Sequence, residues 1–204
     1  GAPTLITAFM STVVKTAAFA AFYRTIGGLA LPHAVHTMLV AMTVATLFLG
    51  NIVALRQTRF KRLMAYSSIA HTGFLLLAML GHDDRTADVL FYYLATYALA
   101  TVGLFIVLTL AKRAALGDEH IHIFRGLYRS NPWIAVAALL MLLSLAGIPL
   151  TAGFVAKYRV FVLSLSSGLL YTTLFAVAMA LLGIYYYILV VREAFTPRED
   201  QGGS

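Results

Sequence analysis

Cysteine is absent from the 204 residues, which removes disulfides, iron–sulfur ligation and thiolate zinc sites from the chemistry this chain can perform. Charge is scarce too. Only 11% of residues are Asp, Glu, Lys or Arg, where an ordinary soluble domain carries about 25%. With 61% hydrophobic residues and a mean hydropathy of +0.86, the chain has too little polar surface to cover a water-soluble globule of this length. Lipid is the expected solvent. Carboxylates are rarer than amines, and all eight, Asp83, Asp84, Asp88, Asp118, Glu119, Glu193, Glu199 and Asp200, stand between or after the apolar runs. The net charge of +7 does not point to nucleic acid. The basic residues fall in short clusters between apolar runs, a pattern that sets membrane orientation rather than phosphate binding. The first apolar stretch has no charged flank and no cleavage site, so it is not a signal peptide. Gly1-Ala2-Pro3-Thr4 reads as a helix start, with Pro in the first turn, and is expected to lie inside a longer chain.

About 20 apolar residues are needed to cross the roughly 30 Å hydrocarbon layer as a helix. The sequence predicts about six such spans, at 4–27, 34–55, 62–81, 88–111, 132–167 and 169–191, within a membrane domain over 1–195, followed by a polar tail at 196–204. The fold expected is all-α, a polytopic transmembrane bundle. The fifth span is too long for one straight helix and contains Gly147, Pro149 and Gly153. Proline removes a backbone donor and clashes with the preceding turn, so two half-helices meeting at membrane depth are expected. Unwound backbone survives there only when protein or a water-filled cavity surrounds it, and transporters use such breaks. Loop charges then set the orientation. One side holds Arg56, Arg59, Lys61, Arg62, Lys112, Arg113, Arg125, Arg129, Arg192 and Arg198, and the other only Arg24 and Arg85. The positive-inside rule puts the first set in the cytoplasm.

Three basic residues belong to neither side. Lys15 sits about eleven residues from either end of the first span, roughly 17 Å along the helix, near the bilayer midplane. No carboxylate of the chain reaches that depth. An amine so placed is a candidate to exchange a proton; the plainer reading is a lysine bonded to Ser11 or Thr12 in a polar groove. Lys157 follows Gly153 by one turn, at the start of the second half-helix, where a cation opposes the positive end of the helix dipole and the break supplies free carbonyls. Snorkelling to the outer surface describes Arg159 better than Lys157. The third span carries Lys61, Ser67, Ser68, His71 and Thr72, spaced so that several can line one face. His71 lies near mid-span and can relay protons or simply pack, two readings that stand level here. Lys61 equally serves as part of the basic run. Tyr93, Thr96, Tyr97 and Thr101 recur at helical spacing in the fourth span, more in keeping with interhelical packing than with a hydroxyl chain. His120 and His122 lack a third metal ligand in view. Tyr185, Tyr186 and Tyr187 read as an interfacial aromatic belt.

Three stretches together resemble one family. GAPTLITAFMSTVVKTAAF, GNIVALRQTRFKRLMAYSSIAHTGF and SLAGIPLTAGFVAKYRVF are similar to signature segments of the antiporter-like membrane subunits of respiratory complex I, and the VVKTAAF core lies nearest the subunit N branch. The resemblance runs from Gly1 to about Phe195. It implies a subunit of fourteen helices with two inverted five-helix repeats, each holding a broken helix and a key lysine, joined by buried ionisable groups along the midplane. The chain would supply helices eight to thirteen, the last helix of the first repeat followed by the second repeat. Lys15 would match the central lysine of the eighth helix, Lys61 the lysine opening the tenth, and Lys157 the lysine of the broken twelfth; Ser67, Ser68 and Tyr97 are candidate relay groups on their own placement in the third and fourth spans. Quinone, FMN and iron–sulfur clusters are expected in other subunits and none here. Partners would be the other membrane-arm subunits, earlier helices of the same subunit, and the lipid of a bacterial inner membrane. The alternatives share the broken helix and lysines: a subunit of a multi-subunit sodium/proton antiporter, an energy-converting hydrogenase membrane arm, or a structural anchor with a dead proton path.

Overall fold

The computed structural model describes residues 3–27, 29–81, 83–114 and 120–197, with side chains in the third stretch described to Ala111. Lys112, Arg113, Asp118, Glu119 and, apart from positions 196 and 197, the tail expected over 196–204 with Arg198 lie outside the described residues or side chains. The described chain is helical. Its elements are α1 (Thr4–Phe9), a π-helical turn (Met10–Val14), α2 (Lys15–Ile26), α3 (His33–Ala54), α4 (Phe60–Met79), α5 (Thr86–Ala114), a 3-10 turn (Ile121–Phe124), α6 (Leu127–Ser130), α7 (Pro132–Ala146), α8 (Ala152–Ser166) and α9 (Leu170–Phe195). A single antiparallel bridge between Arg59 and His120 is the only extended pairing among the described residues.

Four segments are long and apolar enough to cross a membrane unaided: Thr4–Ile26, His33–Ala54, Thr86–Ala111 and Leu170–Phe195. The other two expected spans differ for local reasons. α4 has a span's length but carries Lys61, Arg62, Ser67, Ser68 and His71, and the fifth span is two 15-residue helices, α7 and α8, separated by a break. The bundle's surface is that of a protein in lipid, with Leu5, Phe91, Leu99, Trp133 and Tyr171 all exposed.

The break is built residue by residue. α7 starts with Pro132 in its first turn and with the Asn131 Oδ1 accepting from the Ile134 backbone N–H. It ends at Gly147, φ 75°, in the left-handed conformation that glycine adopts without penalty. Leu150 also has a positive φ, 76°, strained for a branched side chain and tolerable only because the turn around it is held at both ends. Thr151 restarts the chain, its Oγ1 accepting from the Phe154 N–H. Gly153 belongs to the second half-helix rather than to the unwound segment. It lies inside α8 against α7, where any Cβ would overlap the Ser144 carbonyl, and its N–H donates to the Ser144 Oγ at 3.1 Å.

α3 and α4 cross at close range through small residues. A Cβ on Gly50 would stand 2.5 Å from the Ala70 backbone nitrogen, and one on Gly73 would stand 2.6 Å from the Leu47 Cγ. This is the usual device of membrane helices, which have no hydrophobic drive to associate and gain by close packing instead. Gly50→Ala should therefore lower stability by about 1–3 kcal/mol, read as a lower thermal midpoint in detergent. At the basic end the 3-10 turn folds back onto the bundle. The Ile121 N–H donates to the Thr58 carbonyl at 3.0 Å, Phe124 meets Phe60 edge to face at 4.9 Å, and Arg125 Nε donates to Glu193 Oε2 at 2.7 Å.

Candidate functional site

Lys15 follows the π turn directly. A π turn is an unusual local widening that collects at functional sites, and nothing in the composition of MSTVV announced it. The Ser11 and Thr12 hydroxyls donate to the Ala8 carbonyl. The Lys15 Nζ crosses to α4 instead, donating to the Ser68 Oγ and the Ser68 carbonyl, each at 2.6 Å. It also lies 4.4 Å from the centre of the Tyr97 ring, within cation–π range. The side chain is half-buried.

Lys157 is only 6% exposed, which excludes the snorkelling alternative. Its stem runs over Gly147, where a Cβ would come within 2.9 Å of the Lys157 Cδ, so that position needs glycine for space as well as for its φ. The Nζ donates to the Leu145 and Ala146 carbonyls at 3.0 and 3.3 Å. These belong to the last turn of α7, whose carbonyls have no intrahelical partner, at the negative end of that helix's dipole. The amine thus spans the break from α8 to α7. Arg159 pairs with Asp88, in the first turn of α5, and covers the Tyr92 ring at 5.3 Å.

Between the two lysines lies His71. Its Nδ1 is 2.6 Å from the Tyr93 hydroxyl and its Nε2 is 3.0 Å from the Tyr187 hydroxyl, and Tyr187 is also hydrogen-bonded to Ser67. The His71 and Tyr97 ring centres are 4.9 Å apart, so the Tyr97 ring neighbours both His71 and the Lys15 amine. A cavity of about 10 Å³ is lined by His71, Tyr93, Tyr97, Ser144 and Lys157 among others, a volume close to that of one water. The Lys157 Nζ also sits 5.0 Å from the Phe74 ring centre.

The polar residues of α4 do not share one face. Ser67 and His71 turn toward Tyr187 on α9, while Ser68 turns to Lys15 and accepts at its carbonyl from Thr72. Successive helical residues are about 100° apart, so the neighbours Ser67 and Ser68 serve different partners. Lys61 lies ten residues before His71, about 15 Å down the helix axis, too far to join this cluster. The aromatic-belt expectation needs correction. Tyr186 and Tyr187 are 2% and 1% exposed, and of the three only Tyr185 faces outward. Tyr186 donates to the Asn51 Oδ1 at 3.2 Å, tying α9 to α3. The signal was present in the spacing of Gly183, Tyr186, Tyr187, Val190, Glu193 and Ala194, which repeats at three and four residues along one buried face of α9. Tyr93 belongs to the site likewise, although packing was the stronger expectation for it. His122 contacts Glu193 at 3.0 Å, part of the anchorage of the 3-10 turn.

Comparisons with known proteins agree with this geometry. The family described as "NADH:quinone oxidoreductase/Mrp antiporter, TM" matches residues 1–183. NADH-quinone oxidoreductase subunit N of Deinococcus radiodurans is 43% identical over 198 residues, 97% of this chain and 40% of that protein. A chain of respiratory complex I from Thermus thermophilus, solved with bound aureothin, has a TM-score of 0.84 at 35% identity and covers 100% of this chain and 45% of its own length. A chain of the Mrp complex from Dietzia sp. DQ12-45-1b has a TM-score of 0.82 at 23% identity, covering 94% of this chain and 36% of that one, a likeness of fold alone. The chain spans less than half the length of these relatives.

Proposed function

We propose that this chain, which belongs to the NADH:quinone oxidoreductase/Mrp antiporter transmembrane family, carries protons across a bacterial inner membrane as part of a NADH-quinone oxidoreductase. The observation that carries the reading is the pair of amines, Lys15 and Lys157, set on either side of the His71 and Tyr97 rings with no carboxylate bonded to either among the described residues. An ionisable group inside a membrane bundle is costly to keep and is a functional group by default. Lys15 with Ser68 forms the half-buried end of the relay, and Lys157, held on the α7 carbonyls, forms the buried end. The end bearing Arg56, Arg59, Arg125 and Arg129 faces the cytoplasm. Quinone, flavin and iron–sulfur clusters sit in other subunits, whose redox chemistry drives the relay, and the other membrane-arm subunits are the chain's neighbours in the membrane. Lys61 contributes to orientation and to the basic end.

The greater sequence identity of the subunit N relatives favours this reading over a sodium/proton antiporter, for which the support is likeness of fold. The test is Lys15→Ala in the full-length subunit within its assembled complex. Proton uptake into vesicles per NADH oxidised should fall by about tenfold or more, while electron transfer from NADH to an artificial acceptor in the redox arm continues. Unchanged proton uptake per electron would remove Lys15 from the relay.

A further inference from the structure

His71 meets the same kind of partner on both sides. A hydroxyl lies against each ring nitrogen, Tyr93 at Nδ1 and Tyr187 at Nε2, and Ser67 stands behind Tyr187. Hydroxyls donate and accept interchangeably. A carbonyl or a carboxylate on one nitrogen would fix which of them carries the hydrogen; two hydroxyls leave either tautomer equally well bonded. Ser67, His71, Tyr93 and Tyr187 are all buried, so bulk water does not compete for these bonds. Beside Tyr93 lies the water-sized cavity that Lys157 also lines.

We infer that Tyr187 and Tyr93 are relay residues that let His71 pass a proton by exchanging tautomers, without forming an imidazolium. In the starting arrangement the Tyr187 hydroxyl donates to Nε2 and the Nδ1–H donates to the Tyr93 oxygen. When a proton arrives on the Ser67 Oγ, Ser67 releases its own hydrogen to the Tyr187 oxygen, and Tyr187 releases its hydrogen to Nε2. Nδ1 then releases its hydrogen to Tyr93, and Tyr93 releases its hydrogen to a water in the cavity, which passes one of its own to the unprotonated Lys157 amine. Each of the four groups breaks one bond to hydrogen and makes one, and ends neutral. One proton has entered at Ser67 and one has been taken up by Lys157. Running the same bonds backward would carry the proton back to Ser67, so the reset is a reorientation of the His71 ring that returns its N–H to the Tyr93 side, together with rotation of the hydroxyls. No carboxylate among the described residues is bonded to His71, and this route asks for none.

The inference rests on the reading of Lys157 as a proton acceptor, and the experiment separates the two. In the full-length subunit within its assembled complex, Tyr187→Phe and Tyr93→Phe keep the ring packing and remove only the hydroxyl. Each should lower the rate of proton translocation by about tenfold, less than the roughly 100-fold or more that follows loss of a proton-transfer group outright, because a water can partly take the hydroxyl's place. Incorporating 3,5-difluorotyrosine at position 187 keeps the hydroxyl and nearly the same shape while making it more acidic. A relay hydroxyl predicts an altered translocation rate together with an altered solvent deuterium isotope effect, and a merely structural hydroxyl predicts neither. If the phenylalanine variants fail to assemble, the fluorinated protein decides alone. Wild-type translocation in both phenylalanine variants, or unchanged rate and isotope effect in the fluorinated one, overturns the tautomer route. Lys157→Gln run in parallel distinguishes the failures: if it blocks translocation while the tyrosine variants do not, only the route falls, and if it too is silent, the proposed function falls with it.

Discussion

Proton translocation falls on the order of 100-fold or more when Lys157 is replaced by Gln in the assembled complex, the range expected on losing a positioned proton-transfer group. Glutamine keeps an N–H donor on a shortened stem, able to approach the Leu145 and Ala146 carbonyls that the amine now satisfies. Loss of function in that variant therefore reports the missing acid–base group more than a collapsed break. Lys157→Arg sharpens the point. A guanidinium keeps the charge and the donors but does not release a proton near neutral pH. If Lys157 served only as a fixed positive charge, Arg would preserve function; as a proton carrier, Arg fails almost as badly as Gln. The measurement is acidification of inside-out vesicles followed with a pH-sensitive dye, normalised to NADH oxidised. Translocation near wild type in the Gln variant removes Lys157 from the relay.

The second large effect is structural. Gly153→Ala places a methyl group on the backbone carbonyl of Ser144, in the facing half-helix. Backbone cannot rotate out of the way as a side chain can, so α7 and α8 must part. The cost exceeds the usual overpacking range of about 1–3 kcal/mol, and the separation draws the Lys157 amine off its carbonyls and removes the Ser144 bond to the Gly153 N–H. The variant should show a sharply reduced yield of assembled complex and, in whatever assembles, a translocation defect like that of the lysine variants. Gly168→Ala is the control. Its φ is 78° and nothing lies within 4 Å of an added Cβ, so only backbone strain of roughly 1–2 kcal/mol applies. Equal yields for the two variants would show that the close approach at Gly153 does not matter.

Much of this was legible in the sequence because lipid imposes blunt rules. A run near 20 apolar residues must cross as a helix, and the six expected spans fall within a few residues of the observed helices, for instance 34–55 against His33–Ala54. Proline between two glycines signals the break at 147–151. Lys15 and Lys157 stood out as amines in apolar surroundings. What stayed hidden depends on how helices turn toward one another. Ser67 and Ser68 are adjacent in sequence yet look to different helices, and only the way α4 turns among its neighbours decides which meets Lys15. The burial of Tyr186 and Tyr187 could have been read from the periodicity of α9, but tyrosine near a span's end suggests the membrane interface first. Glu193 and His122 are 71 residues apart, and no local pattern joins them. The π turn before Lys15 has no compositional marker in MSTVV.

The acceptors that hold Lys157 are peptide carbonyls, and this makes one half of the site indifferent to which amino acids surround it. Substituting Leu145 or Ala146 alters bulk and leaves their oxygens where they were. Sequence drift along α7 can therefore be wide without touching the anchor, whereas anything that changes the path of the main chain at Gly147 or Gly153 reaches it at once. Of the contact's members, the lysine is the one that a single codon change can delete.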